Sequence, residues 1–158
     1  YLSKTSGIKV GVTRSNSMTT RWIDQGAIEA VVLIEVPNRY LAGMAEVKLK
    51  EKFSDKTNWR RMLTSNIEEE DITNNKKMAL DSLGSEFEEF FKIDSEVLKF
   101  NYQIDKSIDS VKSISLKKSD DIEGILVGVK GQYLIFDDSS VFNVRSNEGY
   151  VVDISISD

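Results

Sequence analysis

Apolar and polar residues alternate with different periods along the chain, and each change of period predicts an element. Residues 8–13 alternate and are rich in β-branched side chains, which predicts a strand. Tyr1-Leu2 opens in the same manner, and the turn chemistry of residues 3–7 predicts that the two strands form a hairpin. Residues 15–19 read as a polar loop. Thr19 or Thr20 is placed to cap a short helix through Gln25, with Gly26 as its stop. Residues 28–36 predict a strand, and Pro37-Asn38 end it and start a helix over 39–53. Ala42, Ala45, Leu49 and Phe53 recur on one face of that helix at steps of three and four. The predicted order is β-β-α-β-α.

The polar, acidic stretch 66–75 marks a boundary. An amphipathic helix over 76–92 follows, with Leu80, Leu83, Phe87 and Phe91 on its apolar face. The remainder predicts short strands at 97–104, 113–116, 124–129, 132–137, 141–145 and 150–156. Turns are signalled at Lys130-Gly131, Asp137-Asp138-Ser139 and Asn147-Glu148-Gly149. The serine-rich stretch 107–119 alternates with Ile, Val and Leu, which favours strand over linker. This spacing suits a small antiparallel sheet or a partly closed barrel. The expected class is therefore α+β, with a module over 1–65, a helical connector over 66–95 and an antiparallel β-rich domain over 96–158. No internal repeat or low-complexity tract is present.

The chain has 158 residues, enough for one medium domain or two small ones. With 40% hydrophobic and 30% charged residues, its composition is that of a globular protein. No apolar run approaches the roughly 18 residues that cross a bilayer, and no signal-peptide pattern opens the chain, so no membrane partner and a cytoplasmic location are expected. The chain begins at Tyr1 rather than methionine and reads as a piece of a longer protein.

Cysteine and histidine are absent. Disulfides, thiol nucleophiles, Cys/His zinc sites and histidine-based nucleophilic catalysis are excluded within these residues. Base chemistry would fall to a carboxylate, a lysine or a tyrosine, and a metal would be a hard ion on oxygen ligands, Mg²⁺ or Mn²⁺. The net charge of −5 hides an asymmetry: residues 1–65 carry 11 Lys/Arg against 6 Asp/Glu, and residues 66–158 carry 10 against 20. The basic part is suited to phosphate contacts with a nucleic acid, though such a charge is also common on ordinary surfaces.

Tyr1-Leu2, Lys9-Val10-Gly11-Val12-Thr13, Arg21 opening a helix and Glu46 on a later helix together resemble the GIY-YIG nuclease core. The resemblance is closest to the viral and bacterial branch in which lysine replaces the second-motif tyrosine. The run from Ala45-Glu46 to Phe53, followed by Asn58-Trp59-Arg60, is similar to that branch's glutamate helix and trailing aromatic. Longer stretches, Lys9 to Arg14, Thr20 to Ala27, Asp55 to Arg60 and Gly128 to Asp137, resemble an uncharacterised microbial family of unknown function. That resemblance implies a cysteine-bearing head ahead of this segment and a β-rich tail after it.

The nuclease resemblance implies roles. Tyr1 would position or activate water, Lys9 would stand in for the second tyrosine, and Arg21 would hold the scissile phosphate. Glu46 would hold one Mg²⁺. Arg14, Asn58 and Arg60 would contact substrate. Each has a plainer alternative. Glu46, at the rim of its helix's apolar face, could pair with Arg21 or Lys9; Arg21 could be a solvated helix-end charge; Lys9 could be an exposed strand position. Trp22 and Trp59 suit core or interface better than a base-stacking platform, and Gly11 suits close backbone approach. Two features oppose catalysis: the lysine in the second motif, which would need a depressed pKa to act as a base, and the overall negative charge. Nucleic-acid binding with or without metal-dependent cleavage therefore stands beside a non-catalytic protein-interaction or scaffold role for the acidic tail.

Overall fold

The computed structural model describes residues 1–64, 69–106 and 108–157. Strands β1 (Leu2–Lys4) and β2 (Ile8–Val10) form the expected hairpin, with Leu2 opposite Val10 and Ser3 opposite Lys9. Ser3 and Lys4, read as turn, are strand. A single turn of 3₁₀ helix at Ser15–Ser17 leads into α1 (Met18–Asp24), and no side chain caps either start. The expected cap at Thr19 or Thr20 therefore lies inside the helix. Gly26, at φ +68°, ends it as expected.

Strand β3 (Glu29–Val31) is shorter than the 28–36 stretch predicted, although Ile34 makes an isolated bridge to Phe91. Helix α2 (Arg39–Leu49) starts where the sequence places it, because the Asn38 side chain accepts a hydrogen bond from the Leu41 amide at 3.0 Å. It ends four residues before the expected Phe53. Ala45 and Leu49 are buried on its inner side, and Phe53 is buried beyond its end. A short α3 (Trp59–Leu63) follows.

Helix α4 (Ile72–Leu83) starts earlier and stops sooner than the 76–92 expected. Asp71 caps it by accepting from the Thr73 amide at 2.8 Å, and Gly84 at φ +70° breaks it. Residues 85–90 continue as 3₁₀ helix, which still buries Phe87. The boundary placed at 66–75 falls partly outside the described residues. What surrounds α4 is clear: Ile72, Ala79, Leu83 and Phe87 share one apolar core with Leu2, Val10, Val31, Leu33, Ala45 and Leu49. Lys48 of α2 reinforces that packing by ion-pairing Glu86 and donating to the Leu83 carbonyl at 2.9 Å.

Strand β4 (Leu98–Lys99) completes the first sheet, antiparallel throughout, in the order β2-β1-β3-β4. The second sheet holds β5 (Lys112–Ile114), β6 (Leu126–Lys130), β7 (Tyr133–Phe136) and β8 (Ser140–Asn143) in the order β5-β8-β7-β6. The β6-β7-β8 meander is antiparallel as expected, and Gly131 at φ +59° makes its first turn. The β5–β8 pair is parallel, which corrects the wholly antiparallel expectation. Residues 150–156 alternate like a strand, but among the described residues no strand pairs with them and they remain irregular and exposed.

Gly131 also joins the sheets. A Cβ there would stand 2.9 Å from the Asp24 carbonyl oxygen and 3.0 Å from the Gly26 nitrogen. The hairpin tip thus lies directly on the end of α1. Beside it, Lys130 is buried and donates to the Met62 carbonyl at 2.7 Å.

Candidate functional site

Side chains alternate across a strand, so the first sheet presents two different faces. Leu2, Val10 and Val31 face the core under α2 and α4. Ser3, Lys9 and Ala30 stand in register on the other face. Tyr1 and Gly11 extend that second face by one step, and the Gly11 amide donates to the Tyr1 carbonyl at 3.1 Å. Helix α1 covers this face. Trp22 is 1% exposed and meets Tyr1 and Phe100 edge-on, at centroid distances of 5.6 and 6.2 Å. Trp22 is therefore core, as the sequence suggests.

The Tyr1 ring lies over Gly11, whose missing side chain makes room for it: a Cβ there would be 2.6 Å from Tyr1 Cζ. The phenol donates to Gln25 Oε1 at 3.3 Å. Burial pushes the phenol pKa above its ordinary 10, and the hydrogen-bonding Arg21 guanidinium and Gln25 pull it back part of the way. The phenol oxygen is thus bonded to Gln25 and feels the charge of Arg21.

Lys9 is 6% exposed, contrary to the exposed strand position that alternation alone would give it. Its stem is buried, yet its ammonium is not sealed: Ser3 Oγ and Trp22 Nε1 are the sealed side-chain polar atoms without a partner among the described residues. No hydrogen bond or ion pair holds the Lys9 ammonium among the described residues. Burial first, and the Arg21 charge second, lower its pKa to about 8, against a weaker opposing pull from Asp55. Two cations therefore stand near each other without an intervening carboxylate bonded to Lys9.

Glu46 lies on α2, next to the buried Ala45. Its side chain keeps 27% exposure, and its charge is felt by the Tyr1 phenol. Its ion-pair partner is Lys50, one helical turn on at 3.7 Å, not the Arg21 or Lys9 weighed from sequence. Lys50 also bonds Asp55 at 3.0 Å, which holds the Asp55 carboxyl below its usual range. No group of three or more carboxylates gathers among the described residues. A metal here would have Glu46 as its protein ligand, completed by water and substrate oxygens, which is a donor set Mg²⁺ accepts.

The remaining candidates are placed elsewhere. Asn58 caps α3, its side chain accepting from the Arg61 amide at 3.3 Å while its own amide donates to Ser6 Oγ at 3.0 Å. The Arg60 guanidinium lies 4.3 Å over the Trp59 ring, which in turn stacks on Tyr133 of the second sheet at 5.5 Å and 12°. Trp59 is thus an interface residue. Arg14 is exposed at the mouth of a cleft of about 630 Å³ that has Tyr1 in its wall. Lys9, Arg21 and Glu46 do not line that cleft, so Tyr1 is the candidate shared by both places. Gln25, Lys50 and Asp55 were not singled out from sequence; the Glu46-to-Lys50 spacing of four was the available signal.

No helix among the described residues is long and apolar enough to cross a membrane. A family model described as a protein of unknown function, DUF2797, matches residues 1–152, and the chain belongs to that family. No curated protein and no solved structure matches it.

Proposed function

We propose that this member of the family binds nucleic acid around Tyr1, Lys9 and Arg21 of its first sheet and α1 and cleaves a phosphodiester there with a divalent metal. The observation that carries this reading is the Lys9 and Arg21 pair. Both are cationic, Lys9 is buried with its pKa lowered in part by the Arg21 charge, and neither is ion-paired among the described residues. Holding like charges together is unfavourable unless an anion offsets them, and a phosphate is the anion that a guanidinium grips at two points. The GIY-YIG-like order of Tyr1, Lys9, Arg21 and Glu46 supports the same reading.

Arg21 then clamps a non-bridging oxygen, and Lys9, with its pKa near 8, moves a proton at neutral pH more readily than an ordinary lysine. Tyr1, held by Gln25 and Gly11, orients the attacking water. Glu46 would hold Mg²⁺ or Mn²⁺, which when bound would supply charge stabilisation for the leaving oxygen.

The test is cleavage of DNA and RNA substrates with either ion, comparing wild type with Arg21→Ala and Glu46→Ala. Metal-dependent cutting lost in both variants is expected. Equal activity in all three proteins would sink the reading. A second reading, binding without cleavage, is favoured by the Lys50 tether on Glu46. It predicts salt-sensitive binding that Arg21→Ala weakens, with no product at any metal concentration.

A further inference from the structure

The cleft beside Tyr1 is not used by that chemistry, and its make-up is specific. At about 630 Å³ it has the size of a small-molecule site. Its floor is the hydrophobic core itself, through Val10, Leu33, Ala45 and Leu49. Tyr1 is the one aromatic residue in its lining. The chain leaves β2 along one lip, and there the amides of Val12 and Thr13 find no partner among the described residues. Arg14 and Arg39 are exposed in the lining and neither is ion-paired among the described residues. The acidic side chain in the lining, Glu35, is already bound by Lys92 at 2.9 Å and Ser15 at 3.0 Å.

An apolar slot with one aromatic wall, backbone amides without a protein partner on one lip and two guanidinium groups outside any ion pair matches a ligand with a flat, hydrogen-bonding body and an anionic end. A purely aliphatic anion would leave the amides unpaired, and a bare phosphate would leave the apolar floor unfilled. We infer that the cleft takes one unpaired nucleotide, its base in the slot and its phosphate on Arg14 and Arg39. The inference rests on the nucleic-acid reading for the polymer. Because Tyr1 borders both places, the strand would run from the cleft to the Arg21 phosphate, and the preferred substrate would carry a single-stranded nucleotide next to the cut.

The test is titration calorimetry with adenosine 5′-monophosphate, inorganic phosphate and adenosine, run without divalent metal. Failure of metal-dependent cleavage then leaves the readout untouched. The nucleotide is expected to bind at least tenfold more tightly than phosphate or adenosine. The double variant Arg14→Glu/Arg39→Glu, whose changes are on the surface, is expected to lose at least tenfold, and Ala42→Trp, checked for folding by circular dichroism, to lose as much by filling the slot. Equal binding of nucleotide and phosphate would overturn the inference, as would nucleotide binding indifferent to the double variant. In the polymer arm, a single-stranded oligonucleotide is expected to compete for the cleft and a blunt duplex is not. Oligonucleotide binding without any mononucleotide binding would overturn the cleft while leaving the wider nucleic-acid reading intact.

Discussion

The ring of Tyr1 occupies the space where any residue but glycine at position 11 would place its Cβ, 2.6 Å from Cζ. The phenol is thus set by a backbone vacancy on the neighbouring strand as well as by Gln25 and Trp22. Gly11→Ala must push the ring away. Overpacking of this kind costs about 1–3 kcal/mol, which denaturant unfolding would register. The same shift takes the phenol out of its buried setting, so its pKa should fall back toward 10, read from the ultraviolet titration of tyrosinate. An alanine variant with unchanged stability and an unchanged titration would show that the ring has room elsewhere.

Lys9 gives a pH dependence with a definite sign. Its folded pKa, about 8, lies below the 10.5 of an unfolded lysine, so the folded state disfavours its proton. The resulting destabilisation is full below pH 8 and disappears as pH rises toward 10.5, because over that range the unfolded chain binds more protons. Relative to Lys9→Met, the wild type should therefore gain stability between pH 8 and 10.5. Taking the difference between the two proteins removes the other buried groups, such as Lys76 and Lys130. Parallel stability curves would contradict the shift. On the activity side, Lys9→Arg keeps the charge and removes the titration. A cleavage rate that climbs through pH 8 in wild type and flattens in this variant would assign proton transfer to Lys9.

The parts of the fold written in local chemistry were legible. The first hairpin, the Asn38 start of α2, the Gly26 stop and the β6-β7-β8 meander each follow from cap, turn or alternation signals within a few residues. The misreadings have physical causes. Asp71 belongs to an acidic stretch that reads as a boundary, yet its side chain caps α4, which therefore starts four residues before the apolar periodicity predicts. The plainer alternative for Lys9, an exposed position in the alternation, fails because Lys9 is buried, a tertiary fact that no local pattern encodes. The parallel β5–β8 pairing joins segments about 30 residues apart and leaves no local mark. In the site, the approach of Arg21 to Tyr1 depends on how α1 lies across the sheet, whereas the Glu46–Lys50 pair needed nothing beyond helical spacing.

Gly131 should be the most sensitive position in the second sheet. It combines φ +59°, which a side chain tolerates poorly, with backbone atoms of Asp24 and Gly26 at 2.9 and 3.0 Å from any added Cβ. Neither neighbour is a flexible side chain that could swing aside. Gly131→Ala is expected to destabilise by about 2 kcal/mol or more, from left-handed strain and overpacking together. Amide hydrogen exchange should locate the loosening at both the hairpin tip and the end of α1. Loss confined to the hairpin would mean that the contact with α1 contributes nothing.

Asn58 separates a structural role from a binding one. Its side-chain oxygen is committed to the Arg61 amide, and its backbone amide to Ser6. Asn58→Ala should therefore cost about 1 kcal/mol, the usual loss for an N-cap. Asn58→Asp keeps an acceptor at the same place and should restore most of that loss, while adding a negative charge next to Arg60 and Arg61. If nucleic acid passes over α3, the aspartate variant should bind it more weakly and with altered salt dependence, even though its stability is close to wild type. If binding is confined to the Tyr1 and Arg21 face, the aspartate variant should bind as wild type does. Fluorescence anisotropy at two salt concentrations on both variants would decide whether α3 belongs to the interface.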